Sequence, residues 1–303
     1  MWKEKDFLGL KDVPFAVIEN ILDSAAEMKR AFLASERKTS CAGKAVVTLF
    51  YENSTRTRAS FELAAKALSA NAMNLAVATS SVAKGESLID NGKTLDALQA
   101  RIVVIRHSVA GAPHLLAKNM AAGVINAGDG MNEHPTQALL DMFTIREKFG
   151  GFKGLKVLIA GDIKHSRVAR SNIYGLRAAG AEITVCAPAT LMPAGIERFG
   201  VRVVRTLREG AAGADVLMAL RLQLERQKSG MFPSAAEYNR FYNLNGEIAA
   251  LAKSGAIVMH PGPINRGLEI SGALADGNSS VITGQVTNGV AVRMALLEML
   301  LAK

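Results

Sequence analysis

Ser54, Thr55, Arg56, Thr57 and Arg58 form one unbroken run directly after an apolar, β-branched segment and before residues 59–70, whose spacing predicts a helix. Hydroxyls, guanidinium groups and backbone N–H groups without helical partners would converge there, where the helix dipole also favours negative charge. That is the chemistry of a phosphate site. A plain hydroxyl cap with solvated arginines would leave unexplained why both arginines stand in the turn.

Other chemistry-bearing residues recur where apolar runs end. Ser80 and Lys84 lie in ATSSVAKGES, Arg106 and His107 in RHS, and His134 and Gln137 in GDGMNEHPTQ. Further on, Arg167 lies in GDIKHSR, Arg221 and Gln223 in RLQLERQ, and Gly262 and Pro263 in HPGPINR. Open parallel sheets bind ligands outside the carboxyl ends of their strands, so these are the positions where a site is expected. GDIKHSR follows a strand and opens a helix, yet it lacks the GxGxxG spacing that admits a dinucleotide pyrophosphate. Neither GxSxG nor a placed cysteine supplies a covalent nucleophile.

STRTR followed by SFE resembles the carbamoyl phosphate signature of the transcarbamoylases, a family that includes aspartate and ornithine transcarbamoylase, and later segments match it in order along most of the chain. The resemblance implies that Ser54, Thr55, Arg56, Thr57 and Arg106 hold carbamoyl phosphate. It further implies that Arg106 and His134 donate to the carbonyl oxygen, that Gln137 holds the NH2 group, and that backbone carbonyls around Gly262 and Pro263 receive that NH2. Attack by an amine places negative charge on the carbonyl oxygen, and one donor aimed at it is commonly worth about 3–4 kcal/mol.

By the same resemblance, Ser80 and Lys84 reach into the site of a neighbouring subunit, which implies a homotrimer with shared active sites, and Lys84 pairs with phosphate and substrate carboxylate. Arg167 would clamp the α-carboxylate of aspartate, and Arg221 with Gln223 its side-chain carboxylate. Arg56, Lys84, Arg106 and His134 are thus the expected catalytic residues, with Lys84 or the leaving phosphate as proton acceptor. Two departures stand out: Ala83 replaces a second lysine of some relatives, and Gly262 replaces a leucine.

An ornithine-specific member would show HCLP and an SMG-bearing loop, where this chain has HPGP and LRLQ. Arg167 and Arg221 would also repel a cationic side chain. The expected reaction is therefore transfer of the carbamoyl group to L-aspartate, an early step of pyrimidine biosynthesis. Ornithine or another amino acid is the nearest alternative, and a non-catalytic anion- or nucleic-acid-binding protein the more distant one. Regulatory chains or a dihydroorotase as further partners are left open, and no cofactor or metal is called for.

The elements that must position these residues alternate short β-branched runs with longer helical patterns, the mark of parallel strands joined by crossover helices. Expected strands cover residues 45–50, 73–78, 102–105 and 124–127, then 156–160, 183–187, 201–204, 216–220 and 256–259. The expected fold is α/β, two doubly wound parallel-sheet domains with the C-terminal helix packing back on the first. A carbamoyl phosphate-binding domain over 1–149 and an aspartate-binding domain over 150–303 would meet at Gly150, Gly151 and Gly154, with a helix over about 285–303 returning to the first. Residues 16–33 read as an early core helix, and the stretch that follows ALRLQLERQ, through Asn245 and containing Gly230 and Pro233, as a long connection closing over aspartate.

At 303 residues, with 49% hydrophobic, the chain has enough material for two cores. Its two cysteines, Cys41 and Cys186, have no ligand spacing and suggest neither a disulfide framework nor a zinc site. The first residues lack the apolar core of a signal peptide and no run reaches membrane-span length, so a cytoplasmic protein without membrane contact is expected. The formal charge of +9 could suit nucleic acid. The basic residues are dispersed and aromatics are few, however, which favours small anionic substrates.

Overall fold

The computed structural model describes residues 4–76, 86–222 and 234–301. It divides into two compact units, one built from residues 1–143 and 287–303 and the other from residues 144–286.

The first unit opens with α1 (Phe15–Leu33), whose buried Ile18, Ile21, Leu22, Ala25 and Met28 recur at helical spacing. There follow β1 (Ala45–Phe50), α2 (Thr55–Ala67), β2 (Asn71–Ala76), α3 (Leu88–Ala97), β3 (Ala100–His107), α4 (Ala112–Lys118), β4 (Gly123–Asp129) and α5 (Pro135–Phe149). All strand pairings are parallel, in the order β2-β1-β3-β4. Right-handed crossovers in that order put α2 on one face of the sheet and α3 on the other. Val47, Leu49, Leu95, Val103, Ile105, Leu116 and Val124 form one core of this unit. Every residue of β4 is buried, because the N-terminal segment pairs alongside it: Phe7 N–H donates to Val124 at 2.8 Å and Phe7 carbonyl accepts from Asn126 at 3.0 Å.

The second unit contains β5 (Lys156–Ala160), α6 (Arg167–Ala178), β6 (Glu182–Cys186), β7 (Arg202–Val204), α7 (Leu207–Ala211) and β8 (Val216–Ala219). It continues with α8 (Ala235–Tyr242), α9 (Gly246–Ala249), β9 (Ile257–Met259) and α10 (Gly272–Ala275), and α11 (Ile282–Leu301) carries the chain into the first unit. Its sheet is again wholly parallel, in the order β7-β6-β5-β8-β9. The doubly wound architecture expected from the strand–helix alternation is present in both units. Beyond residue 287, α11 packs against α2 and α5, with Arg293 donating to Ser60 and Thr136.

The sequence missed boundaries and one helix. The arginine-rich run is not a turn ahead of a helix: α2 already begins at Thr55, so Arg56 and Arg58 occupy its first turn. The connection expected through Asn245 contains α8, capped by Ser234 and anchored by the buried Tyr238. Two tyrosines and a phenylalanine in eight residues hide the helical period, and burial of one aromatic edge decides the conformation. The helix expected to stop at the glycines does so, since Gly150 follows α5 at φ +76°, a conformation glycine adopts without strain.

Candidate functional site

Each sheet has a topological switch point, a pair of neighbouring strands whose chain connections leave in opposite directions. In the first unit these strands are β1 and β3 and in the second β5 and β8. The crevice outside their carboxyl ends is where doubly wound folds bind ligands.

At the first switch point β1 runs into Ser54 and α2. Ser54 occupies the N-cap position, yet its side chain makes no capping hydrogen bond. The caps Ser87, Ser166, Thr206, Ser234, Asn245 and Ser271 each accept from a backbone N–H of their own first turn. The Ser54 hydroxyl is thus not spent on capping, at the end of a helix whose dipole favours an anion. Arg56 is exposed, Thr57 is buried, and Arg58 lies 4.0 Å from Glu62.

Across the switch, Arg106 lies near the end of β3, paired in register with Phe50 of β1. Its Nε stands 3.3 Å from Glu52 Oε2 and its Nη1 donates to the Ala127 carbonyl at 3.5 Å. His107 ends β3, packs against Tyr51 at 4.6 Å between ring centres with the planes tilted by 52°, and accepts the Val109 N–H at Nδ1. Burial lowers its pKa, opposed by the charges of Glu52 and Asp129.

His134 and Gln137 open α5, the His134 carbonyl accepting from the N–H of Gln137 at 3.0 Å and of Ala138 at 3.2 Å. Both are buried. Asp129 fixes the loop that carries them: one carboxylate oxygen accepts from Asn126 and the Glu133 N–H, the other from Asn132 and the Gly111 N–H. Ser80 and Lys84 lie outside the described residues.

The second switch point repeats the device. The tripeptide Ala-Gly-Asp closes β4 and recurs at residues 160–162, where β5 ends on the alanine, with φ of +117° at Gly128 and +128° at Gly161, and a fully buried aspartate in each case. Asp162 accepts from the His165 N–H at 3.1 Å and holds the His165 ring at Nδ1, 2.9 Å away. This shapes the turn so that Ser166 caps α6 and Arg167 becomes its first residue, only 4% exposed. Arg221 follows β8 on the neighbouring strand end, while Gln223 lies outside the described residues.

The HPGPINR loop after β9 is held by His260. Its Nδ1 accepts the Gly262 N–H at 2.8 Å, so its Nε2 carries the proton donated to Glu269 at 3.1 Å. Glu269 also accepts from the Asn265 N–H at 2.6 Å. A structural role for His260 agrees with that arrangement. Gly262 sits at φ +67°, where glycine is at ease, and Gly262–Pro263 is a cis peptide bond.

Sequence reasoning passed over Asp129, Asp162 and Arg293, because an acidic residue after glycine reads as an ordinary turn and a lone arginine in an apolar helix as a surface residue. Among the described residues no group of three potential metal ligands exists, and no helix is long and apolar enough to cross a membrane.

Comparison with known proteins agrees with this layout. Residues 5–147 match the family description "Aspartate/ornithine carbamoyltransferase, carbamoyl-P binding domain", and residues 153–300 match the corresponding "Asp/Orn binding domain". The aspartate carbamoyltransferase catalytic subunit of Acetivibrio thermocellus is 60% identical over 299 residues, covering 98% of this chain and 96% of that protein. That of Ruminiclostridium cellulolyticum is 59% identical over the same length and shares. Aspartate transcarbamoylase from Trypanosoma cruzi, crystallised with N-(phosphonacetyl)-L-aspartic acid, superposes with a TM-score of 0.89 at 32% identity, covering 98% of this chain and 95% of that one. Ornithine carbamoyltransferase from Thermus thermophilus superposes with a TM-score of 0.88 at 26% identity, over 99% and 100% of the two chains. Two family domains in the right order, each with its charged residues at a switch point, leave one conclusion: the chain belongs to the aspartate/ornithine carbamoyltransferase family.

Proposed function

We propose that this chain transfers the carbamoyl group of carbamoyl phosphate to the amino group of L-aspartate, giving N-carbamoyl-L-aspartate and phosphate, a reaction placed early in pyrimidine biosynthesis. The observation that carries this reading is Ser54, a helix cap whose hydroxyl does not cap, beside Arg56 in the first turn of α2 and Arg106 on the adjoining strand. Relatives near 60% identity that are named for aspartate rather than ornithine support the choice of acceptor.

In this reading the first unit binds carbamoyl phosphate and the second binds aspartate. Ser54, Thr55, Arg56 and Thr57 take the phosphate oxygens, Arg106 and His134 donate to the carbonyl oxygen as charge develops on it, and Gln137 holds the NH2 group with the Gly262–Pro263 carbonyls. Arg167 and Arg221, with Gln223, pair with the two carboxylates; planar guanidinium groups suit them by parallel hydrogen bonds. The neutral amine attacks the carbamoyl carbon, the tetrahedral intermediate collapses, and phosphate leaves with the C–O bond electrons, while the amine proton passes to Lys84 or to the leaving phosphate. Fixing both reactants removes much of the entropic barrier. Ser80 and Lys84 are assigned to a neighbouring subunit's site, which makes the working form a homotrimer, and the protein is assigned to the cytoplasm.

Phosphate release from carbamoyl phosphate tests this directly. Saturable release with aspartate and little with ornithine is expected. Faster release with ornithine overturns the acceptor assignment, and strongly salt-dependent binding of DNA without turnover overturns the enzymatic reading altogether.

A further inference from the structure

Arg293 lies on α11 in a run of buried apolar residues that includes Val292, Met294 and Leu297, and is itself 4% exposed. An apolar side chain of similar length would fill this space without desolvating a cation, so core packing alone does not select arginine. Its contacts explain the choice. Nη1 donates to Ser60 Oγ at 2.6 Å, and that hydroxyl donates in turn to the Thr57 carbonyl at 3.1 Å, in the first turn of α2. Nη2 reaches Thr136 Oγ1 at 3.5 Å, between His134 and Gln137. The guanidinium lies 5.0 Å from the centre of the Phe61 ring. Asp141, fully buried on α5, accepts from Gln137 Nε2 at 3.0 Å and supplies a charge opposite to that of Arg293.

Two further facts fit. A Cβ at residue 289 would stand 2.7 Å from Arg293 Nη1, so Gly289 leaves room for the guanidinium. Burial lowers the Arg293 pKa to about 10, with Asp141 opposing the shift, and the group stays charged at neutral pH.

We propose that Arg293 is a positioning residue for the carbamoyl phosphate half of the site: through Ser60 it sets the first turn of α2, and through Thr136 it sets the start of α5. Thr57, His134 and Gln137 are thereby held in one fixed relation before substrate arrives. Donors help a transition state to the extent that a supporting shell keeps them aimed, and here one buried cation supports both helices that carry them. The inference rests on the proposed function.

The test compares Arg293→Met, Arg293→Lys and Ser60→Ala with the wild-type chain. Arg293→Met is expected to melt lower than wild type, since buried Asp141 loses its opposing charge, to lose about tenfold or more in kcat and to raise the KM for carbamoyl phosphate, while the KM for aspartate stays within about twofold. Arg293→Lys should recover part of the loss. A folded Met variant with kcat and carbamoyl phosphate KM within about twofold of wild type overturns the proposal, as does an equal rise in both KM values. Should the Met variant not fold, Ser60→Ala decides: a raised carbamoyl phosphate KM supports the proposal and an unchanged one overturns it. If the wild type itself shows no turnover, the functional reading fails. The positioning role is then read from calorimetric binding of inorganic phosphate, with weaker binding by the variants in its favour and equal binding against it.

Discussion

Gly161 and Leu220 meet where β5 and β8 end. A Cβ on Gly161 would stand 2.8 Å from the Leu220 carbonyl oxygen, and Gly161 adopts φ +128°. The two strand ends can close to this distance only because residue 161 has no side chain, and Arg221 is the next residue along. Gly161→Ala therefore combines backbone strain of about 1–3 kcal/mol with a clash against main chain that cannot rotate away. The variant should melt lower and show a raised KM for aspartate, because the strand that presents Arg221 must shift. A melting temperature and aspartate KM equal to wild type would show that the close approach is not required.

Ser54 and Ser166 occupy the same place at the starts of α2 and α6, yet only Ser166 caps with its side chain, accepting from Ala169 N–H at 3.1 Å. Ser166→Ala should lose the usual capping contribution of about 1 kcal/mol. Ser54→Ala has no such bond to lose; it should leave the melting temperature nearly unchanged and weaken carbamoyl phosphate binding. The pair of denaturation curves checks the contrast, and equal destabilisation by both changes would remove the argument that the Ser54 hydroxyl is kept for a ligand.

Arg56 is exposed in the first turn of α2, so its removal should not disturb the core. Arg56→Ala is expected to lower kcat/KM for carbamoyl phosphate by about 100-fold to 1,000-fold, the ordinary size of a lost charge-stabilising donor, with an unchanged circular dichroism spectrum. Near-normal turnover would defeat the phosphate assignment.

Burial pushes the Cys186 thiol up from its ordinary value to about 12, with Glu209 adding to the shift. A folded-state pKa above the unfolded value means that the unfolded chain releases this proton first as pH rises. The contribution to stability is full below the ordinary thiol pKa and is lost as pH climbs from there towards about 12, at no more than about 1.4 kcal/mol per pH unit. Cys186→Ala should flatten the fall of melting temperature across that alkaline window. Parallel curves for variant and wild type would show that another group governs it.

Much of the scaffold was legible along the chain, and particular elements show why. The bounds of β1 and β5 are those of the β-branched runs AVVTLF and KVLIA, since strands buried on both faces need near-continuous apolar sequence. β2 opens at Asn71 rather than 73, because pairing with β1 recruits the polar Asn71, with Ala72, into the sheet. No local pattern announces such recruitment. The start of α2 at Thr55 was hidden for a related reason: arginines and threonines score as turn-like, while the backbone after Ser54 is already helical.

By itself the sequence determined the strand–helix alternation, the run of hydroxyls and guanidiniums that answers to phosphate, and the kinship with a family of carbamoyl transfer enzymes. All of these are properties of neighbouring residues or of their order. Only the tertiary structure decided which strands adjoin: β1 with β3 and β5 with β8, so that Arg106 pairs with Phe50 and Leu220, one residue before Arg221, meets Gly161. It alone revealed that Ser54 does not cap, that Asp129 and Asp162 hold their loops from beneath, and that Arg293 ties Ser60 to Thr136. The physical reason is the same in each case. A hydrogen bond between residues far apart in sequence is set by the folding of the sheet between them, and no short window of residues contains it.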